Sequence, residues 1–368
     1  MTTESNAARV TTLELFFDLV FVFTITQLAG VVYEEPTVAS VVRVAIMLAL
    51  IWWMYGGYAW LTNTVAPEST NRRLLLLGGM AGYFLLALAT PDAFGSSGLA
   101  FGLAYLVIVA VHTFLFSRAT SQSVVRAIVR LSPYNVVSAL LVVAGGAIGG
   151  TAQYVLWVAA IGLEWATPWL SGLEGFEVGT GHFVERHGLV LLIAIGESVV
   201  VVGVAGAALS VDASLVVIVL LGLALSASVW WLYFGTGDDV GAEHALERLS
   251  GVRRATAALL AFHFAYLPLL LGLVLIAAAE HAALEEPFEP TSRRYAVVLA
   301  GGASLFLLGT GMFRSVLRLG AVAPCVVLGV VALASVPLGS RISPAAQIAA
   351  LVVVVAAAVL ASGRRPET

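Results

Sequence analysis

Residues 183–208 read FVERHGLVLLIAIGESVVVVGVAGAA, and the twenty-one positions from Gly188 to Ala208 hold a single ionisable side chain, Glu197. About 20 apolar residues are enough for a helix to cross the hydrocarbon of a bilayer, so this stretch reads as a membrane span with a charged lip at Glu185, Arg186 and His187. The pattern recurs along the chain. Hydropathy, with the Gly, Pro and charged breaks as boundaries, predicts twelve spans at about 11–32, 41–62, 72–90, 98–117, 122–146, 151–170, 183–208, 214–235, 253–279, 292–313, 316–338 and 344–362. Gly145, Gly146, Gly149 and Gly150, between the fifth and sixth spans, are either a turn or a close helix contact. The expected fold is therefore all-α, a polytopic integral membrane helical bundle.

Composition supports this reading from another direction. Of 368 residues 60% are hydrophobic and 11% charged, against roughly 25% charged in an ordinary soluble domain, and mean hydropathy is +0.99. A soluble globule so built could not cover its surface with polar groups. The net charge of -4 supplies no basic stripe, so nucleic acid is not an expected partner, whereas membrane lipids are. The single cysteine, Cys325, cannot form an intramolecular disulfide and sits in an apolar run, where packing is its expected role. Met1 to Val10 is polar and carries Glu4 and Arg9, so no cleaved leader is expected ahead of the first span.

Orientation is read from arginine, which supplies all 18 basic residues. Fourteen fall on the side of the N-terminus (9, 72, 73, 118, 126, 130, 186, 248, 253, 254, 314, 318, 364 and 365), while Arg43, Arg293, Arg294 and Arg341 fall on the other. Positive loops stay inside, which places both termini in the cytoplasm. The external loops lean acidic, with Glu34, Glu35, Glu280, Glu285, Glu286 and Glu289; Asp238, Asp239, Glu243 and His244 read as a solvated cytoplasmic run. The Arg-x-x-x-Arg pairs 126/130 and 314/318 suit a surface that meets anionic lipid.

The sequence also repeats. Trp52-Trp53-Met54-Tyr55 answers to Trp230-Trp231-Leu232-Tyr233, Arg72-Arg73 to Arg253-Arg254, Arg126-x-x-x-Arg130-Leu131 to Arg314-x-x-x-Arg318-Leu319, and Asp18-Leu19-Val20 to Gly188-Leu189-Val190. In chain order the offsets grow through 170, 178, 181 and 188, as loop insertions in a duplicated unit would make them do. Two parallel six-helix repeats, 1–175 and 176–368, are expected, related by an axis along the membrane normal.

An ionisable group inside hydrocarbon needs a partner, water or a task. Glu197 falls near mid-span among apolar neighbours, apart from Ser198. Burial disfavours its charged form, which suits it to taking and releasing a proton as access alternates; the plainer alternative is an acid donating one hydrogen bond to a neighbouring helix. Its repeat counterpart, Gln27, is polar but cannot ionise, so one proton site per molecule is expected. Glu14 and Asp18, four apart, share a face at the cytoplasmic end of the first span, where they need a cation, an arginine or a shared proton. A helix N-terminus also favours negative charge there. His182 and Glu185 share a face at the matching end of the seventh span, and if the two spans touch, Glu14, Asp18, His182 and Glu185 meet with Arg186 beside them. That gathering is either a hydrogen-bonded network or a mixed N and O site for a divalent metal. His263, with Tyr266 and Pro268 in the ninth span, faces a cavity or a backbone carbonyl; Asn135 follows Pro133-Tyr134 in the fifth. The Trp-Trp-x-Tyr pairs are interface anchors or cavity walls. No phosphate loop, zinc-protease spacing or nucleophile elbow is present.

Leu13-Glu14-Leu15-Phe16-Phe17-Asp18-Leu19-Val20-Phe21-Val22, and His182-Phe183-Val184-Glu185-Arg186-His187-Gly188-Leu189 through Gly196-Glu197-Ser198, resemble the two signatures of the bacterial low temperature requirement protein A family. The likeness extends through the Trp-Trp-x-Tyr segments over nearly the whole chain. It implies a polytopic inner-membrane protein in which Glu14, Asp18, His182, Glu185, Arg186 and Glu197 match the family's polar pattern. The family's name is a growth phenotype, so it implies no reaction.

Three functions fit these residues. A proton-linked secondary transporter of a small molecule or ion would use Glu197 as the proton carrier. Glu14, Asp18, His182, Glu185 and Arg186 would form its cytoplasmic gate, and the Trp and Tyr pairs would line its cavity. A membrane-embedded enzyme acting on a lipid or apolar substrate would use the same cytoplasmic cluster as a metal or acid-base centre. A non-catalytic scaffold or sensor would use neither.

Overall fold

The computed structural model describes every residue except 1–9, 65–68, 120, 177, 208–209 and 364–368. Glu4, Arg9, Arg364 and Arg365 lie outside the described residues. Among those described, all regular structure is helical. The helices are α1 (Thr12–Glu34), α2 (Val38–Thr64), α3 (Thr70–Ala89), α4 (Gly98–Ser117), α5 (Gln122–Ile148), α6 (Gly150–Ser171), α7 (Thr180–Ala207) and α8 (Ala213–Trp230). They continue with α9 (Asp238–Glu247), α10 (Gly251–Leu259), α11 (Tyr266–Ala283), α12 (Arg293–Leu317), α13 (Ala323–Leu333), α14 (Val336–Arg341) and α15 (Pro344–Ala361).

Eleven helical stretches of the described chain are long and apolar enough to cross a membrane. Two of them are compound. A π-turn, Trp231–Gly235, carries α8 on into α9, and a second, Leu260–Ala265, joins α10 to α11. The twelfth expected span is present as α6, 22 residues long, but it falls outside that apolar set; Gln153 and Glu164 are buried along it. The 238–247 segment, expected as solvated loop, is the helix α9 with Asp238 buried at its start.

Helix ends follow ordinary capping chemistry. Oγ of Ser69, Ser292 and Ser343 accepts the N–H of Arg72 at 3.4 Å, Tyr295 at 3.4 Å and Ala346 at 3.2 Å, and Asp212 Oδ1 accepts Leu215 N–H at 2.9 Å. The four glycines at the junction of α5 and α6 divide their work. Gly149 and Gly150, with φ of 73° and 57°, make the turn, a conformation open to a residue without Cβ. Gly146 lies instead against Gly98, where a methyl on either glycine would collide with the other's carbonyl, and α4 and α5 close to backbone contact.

The chain folds as two compact units. Unit 1 comprises Met1–Thr24, Ala49–Val190 and Leu246–Leu259; unit 2 comprises Ile25–Leu48, Leu191–Ala245 and Leu260–Thr368. In unit 1 the consecutive helices α3, α4, α5 and α6 pack in order, and in unit 2 α12 packs against both α11 and α13 while α8 packs on α15. Helices α1, α2 and α7 each contribute a segment to both units.

Candidate functional site

The first two turns of α1 and α7 carry charge because the chain there leaves its polar lip for apolar helix, and in unit 1 these turns bring Glu14, Asp18 and Arg186 together. Arg186 Nη1 donates to Glu14 Oε1 at 3.2 Å and to Thr62 Oγ1 at 2.9 Å, while Nη2 donates to Asp18 Oδ1 at 2.6 Å. The Tyr55 hydroxyl donates to the same Asp18 oxygen at 2.8 Å. Glu14 is held further by Thr11, whose N–H and Oγ1–H reach Oε2 at 2.8 and 2.9 Å, and by His182 Nε2 at 3.1 Å from Oε1. Asn63 orients that imidazole, with Nδ2 3.3 Å from His182 Nδ1. Asn63 is itself fixed by reciprocal bonds with the backbone of Gly179.

The guanidinium lies over the rings of Phe17 and Tyr55, with centroids 5.8 and 5.7 Å away. Glu14 and Arg186 are 1% exposed and Asp18 0%. Two carboxylates face one guanidinium in a dry, aromatic-walled place, where electrostatic interactions are strong and unpaired charge is expensive. Asp18 Oδ2 and Arg186 Nε have no hydrogen-bond partner among the described residues, so the network keeps one free acceptor and one free donor.

Sequence reasoning placed Glu185 in this cluster, but Glu185 is exposed while His182, three residues earlier, faces inward. Without Glu185, and with Arg186 between the carboxylates, the gathering is a hydrogen-bonded ion network. Among the described residues no group of three His, Cys, Asp or Glu side chains is placed to hold a metal ion. Tyr55 and Thr62 belong to the network and were not foreseen in it, although Tyr55 ends a Trp-Trp-x-Tyr segment. Those segments diverge: Trp52 and Trp53 are buried in unit 1, Trp230 and Trp231 are exposed in unit 2, and Tyr55 and Tyr233 are both fully buried.

Unit 2 holds Glu197, which is 1% exposed. Its Oε2 accepts the Thr26 hydroxyl at 2.7 Å, and its Oε1 has no hydrogen-bond partner among the described residues. Gln27, the expected counterpart, is half-buried beside Thr26 on α1; the hydroxyl one residue earlier is the group that meets the carboxyl. His263 is buried within the π-turn Leu260–Ala265.

Four buried charges escaped the sequence reading, among them Asp238, which was read as solvated loop. Glu164 on α6 accepts the hydroxyls of Tyr105 and, at 2.6 Å, Ser138 in unit 1. Glu280 was assigned to an external loop, but α11 runs on to Ala283 and buries it. Arg314 was assigned to a lipid-facing surface, but it is buried near the end of α12. Its Nε donates to Asp238 Oδ2 at 2.7 Å, and its other nitrogens reach Ser362 Oγ at 2.6 Å, Thr236 Oγ1 at 3.0 Å and Leu232 O at 3.1 Å. Arg126 and Arg130, its repeat counterparts by sequence, are exposed. Glu164 lay inside a recognised span and was findable by charge alone; Glu280 and Arg314 each fall one residue beyond a span boundary drawn too short.

A chain of long apolar helices that buries an arginine between two carboxylates, and a lone carboxyl deep in a continuous span, is a multi-pass membrane protein. The family described as bacterial low temperature requirement A protein matches residues 9–361, and the chain belongs to that family. It is 26% identical over 316 residues to the uncharacterized protein RA0937 of Rhizobium meliloti (strain 1021), covering 82% of this chain and 76% of that one. No solved structure matches.

Proposed function

We propose that this protein is a proton-linked secondary carrier of the bacterial cytoplasmic membrane, with Glu197 exchanging the proton and the Arg186 network of unit 1 serving as the cytoplasmic gate. The observation that carries this reading is the state of Glu197, buried on a long apolar helix with one hydroxyl donor on Oε2 and an open position on Oε1. Asp18 and Glu164 also leave one oxygen open, but Asp18 is paired with Arg186 and Glu164 takes two hydroxyls, whereas Glu197 takes one hydroxyl and no ion pair among the described residues, and a buried unsatisfied acceptor costs roughly 1–3 kcal/mol. The open position suits a proton that comes and goes. In the gate, Arg186 pairs with Glu14 and Asp18 together, and the aromatic rings over it exclude water. The arginine asymmetry supports cytoplasmic termini, and the graded offsets between paired motifs support descent from a duplicated six-helix unit.

The test is proton movement in vesicles loaded with a pH-reporting dye and challenged with anionic, cationic, zwitterionic and neutral small solutes in turn. Wild-type protein is expected to move protons with one solute class. Glu197→Gln should abolish that movement while eluting from size exclusion as wild type does; wild-type proton movement in this variant would remove the assignment.

A further inference from the structure

With Glu197 read as the proton carrier, a second buried carboxyl in the same unit is left without a role. Glu280, on α11, is 2% exposed, and neither of its oxygens has a hydrogen-bond partner among the described residues. No ion pair joins it to a basic side chain among those residues. Gly222 of α8 presents bare backbone to it, where an added Cβ would lie 3.5 Å from Oε1 and 3.7 Å from Val202 Cγ2. Its polar neighbour is Ser198, itself 3% exposed and the residue next to Glu197 on α7. Successive residues of one helix are thus committed to two carboxyls, Glu197 as an acid itself and Ser198 as the hydroxyl beside another.

A carboxyl that never changed state would be stabilised by a fixed donor or a counter-charge, as Asp18 is by Tyr55 and Arg186. Glu280 has no counter-charge among the described residues, and the one donor beside it is the neighbouring Ser198 hydroxyl, which favours the carboxylate once the proton leaves. We propose that Glu280 is a second proton-exchanging site, so that the carrier moves two protons per cycle where the Glu197 and Gln27 pairing taken alone would give one. The step is a plain acid-base exchange. The O–H proton of Glu280 passes to water when the site opens, the carboxylate takes the Ser198 hydroxyl as donor, and a proton returns from the opposite side.

This inference rests on the proton-carrier reading, and infrared spectroscopy of the full-length protein in lipid separates the two. The probe is the C=O stretch of protonated carboxyls, followed on transfer from H2O to D2O and as the buffer pH is raised. The wild-type band is expected to shift in D2O and to decline with pH. Glu280→Gln should remove one exchanging component and Glu197→Gln a different one, with the Glu164 component assigned from its own Glu164→Gln variant. Glu280→Asp, which keeps the acid and guards against a folding artefact, should restore a component at altered frequency. If Glu280→Gln leaves the exchanging band intact while Glu197→Gln reduces it, the second site is wrong and the carrier reading stands; if neither reduces it, the carrier reading falls as well. Loss of the Glu280 component on adding NaCl at constant pH would overturn the proton assignment in favour of a sodium site.

Discussion

Arg186 balances more negative charge than it carries, and this sets what substitution does to it. Removing the guanidinium leaves Glu14 and Asp18 facing each other in a dry site, and breaking a buried pair from one side costs about 3–5 kcal/mol. Arg186→Gln is therefore expected to lower stability by about that amount, read as a fall in thermal midpoint in detergent. Arg186→Lys should recover only part, because a point charge cannot serve Glu14, Thr62 and Asp18 through two nitrogens at once. Full stability in Arg186→Gln would mean that the carboxylates share a proton instead. At the same scale, Thr26 is what individualises Glu197, whose one hydrogen bond among the described residues comes from this hydroxyl at 2.7 Å.

At the scale of elements, the approach of one backbone to another decides more than side-chain shape does. The α4 and α5 helices meet at Gly98 and Gly146, where a methyl group has no room. Gly146→Ala should force the pair apart and destabilise by about 1–3 kcal/mol, visible as a lower unfolding midpoint, whereas Gly162→Ala, on a position with open space around it, should not. What the sequence disclosed of these elements follows the same physics. Apolar runs bounded by Gly, Pro and charge located the helices closely, with α4 expected at 98–117 and observed as Gly98–Ser117. They could not locate the partner of a polar group, because pairing across helices leaves no mark at fixed sequence spacing. So Glu14, Asp18 and Arg186 were legible as a cluster, being four apart or tied to matching helix ends. Thr62, Thr26 and Asn63 were not, since a threonine or asparagine in a span looks alike whether it serves a carboxylate or its own backbone. Glu185 shows the converse error: a shared face inferred from a spacing of three put inside a side chain that the helix directs outward.

For the whole molecule, orientation is the quantity that most constrains function, since a carrier's two faces are not equivalent. Ser250 lies between α9 and α10 and Glu289 between α11 and α12, and both are exposed. In a Cys325→Ala background, a membrane-impermeant maleimide applied to intact cells should label Glu289→Cys and spare Ser250→Cys until the membrane is opened. Labelling of Ser250→Cys on intact cells would invert the chain and exchange the proposed gate with the opposite mouth.

The π-turns at Trp231–Gly235 and Leu260–Ala265 matter in a way that concerns angular phase. The second runs without a break into α11 and sets it out of step with α10 by about one residue, roughly 100° of rotation, whereas the first is followed by Gly237, whose φ is 74°. Tyr233, inside the first, and Tyr266, just after the second, meet hydroxyl to hydroxyl, and Asp238 beyond the first turn points at Arg314. Deleting one residue from the second turn, Phe264 for instance, would make a regular helix of better local geometry and aim Tyr266 about 100° away from Tyr233. The irregular turn is thus what keeps two otherwise independent helical faces in register, and a chain length correct to the single residue is part of the site.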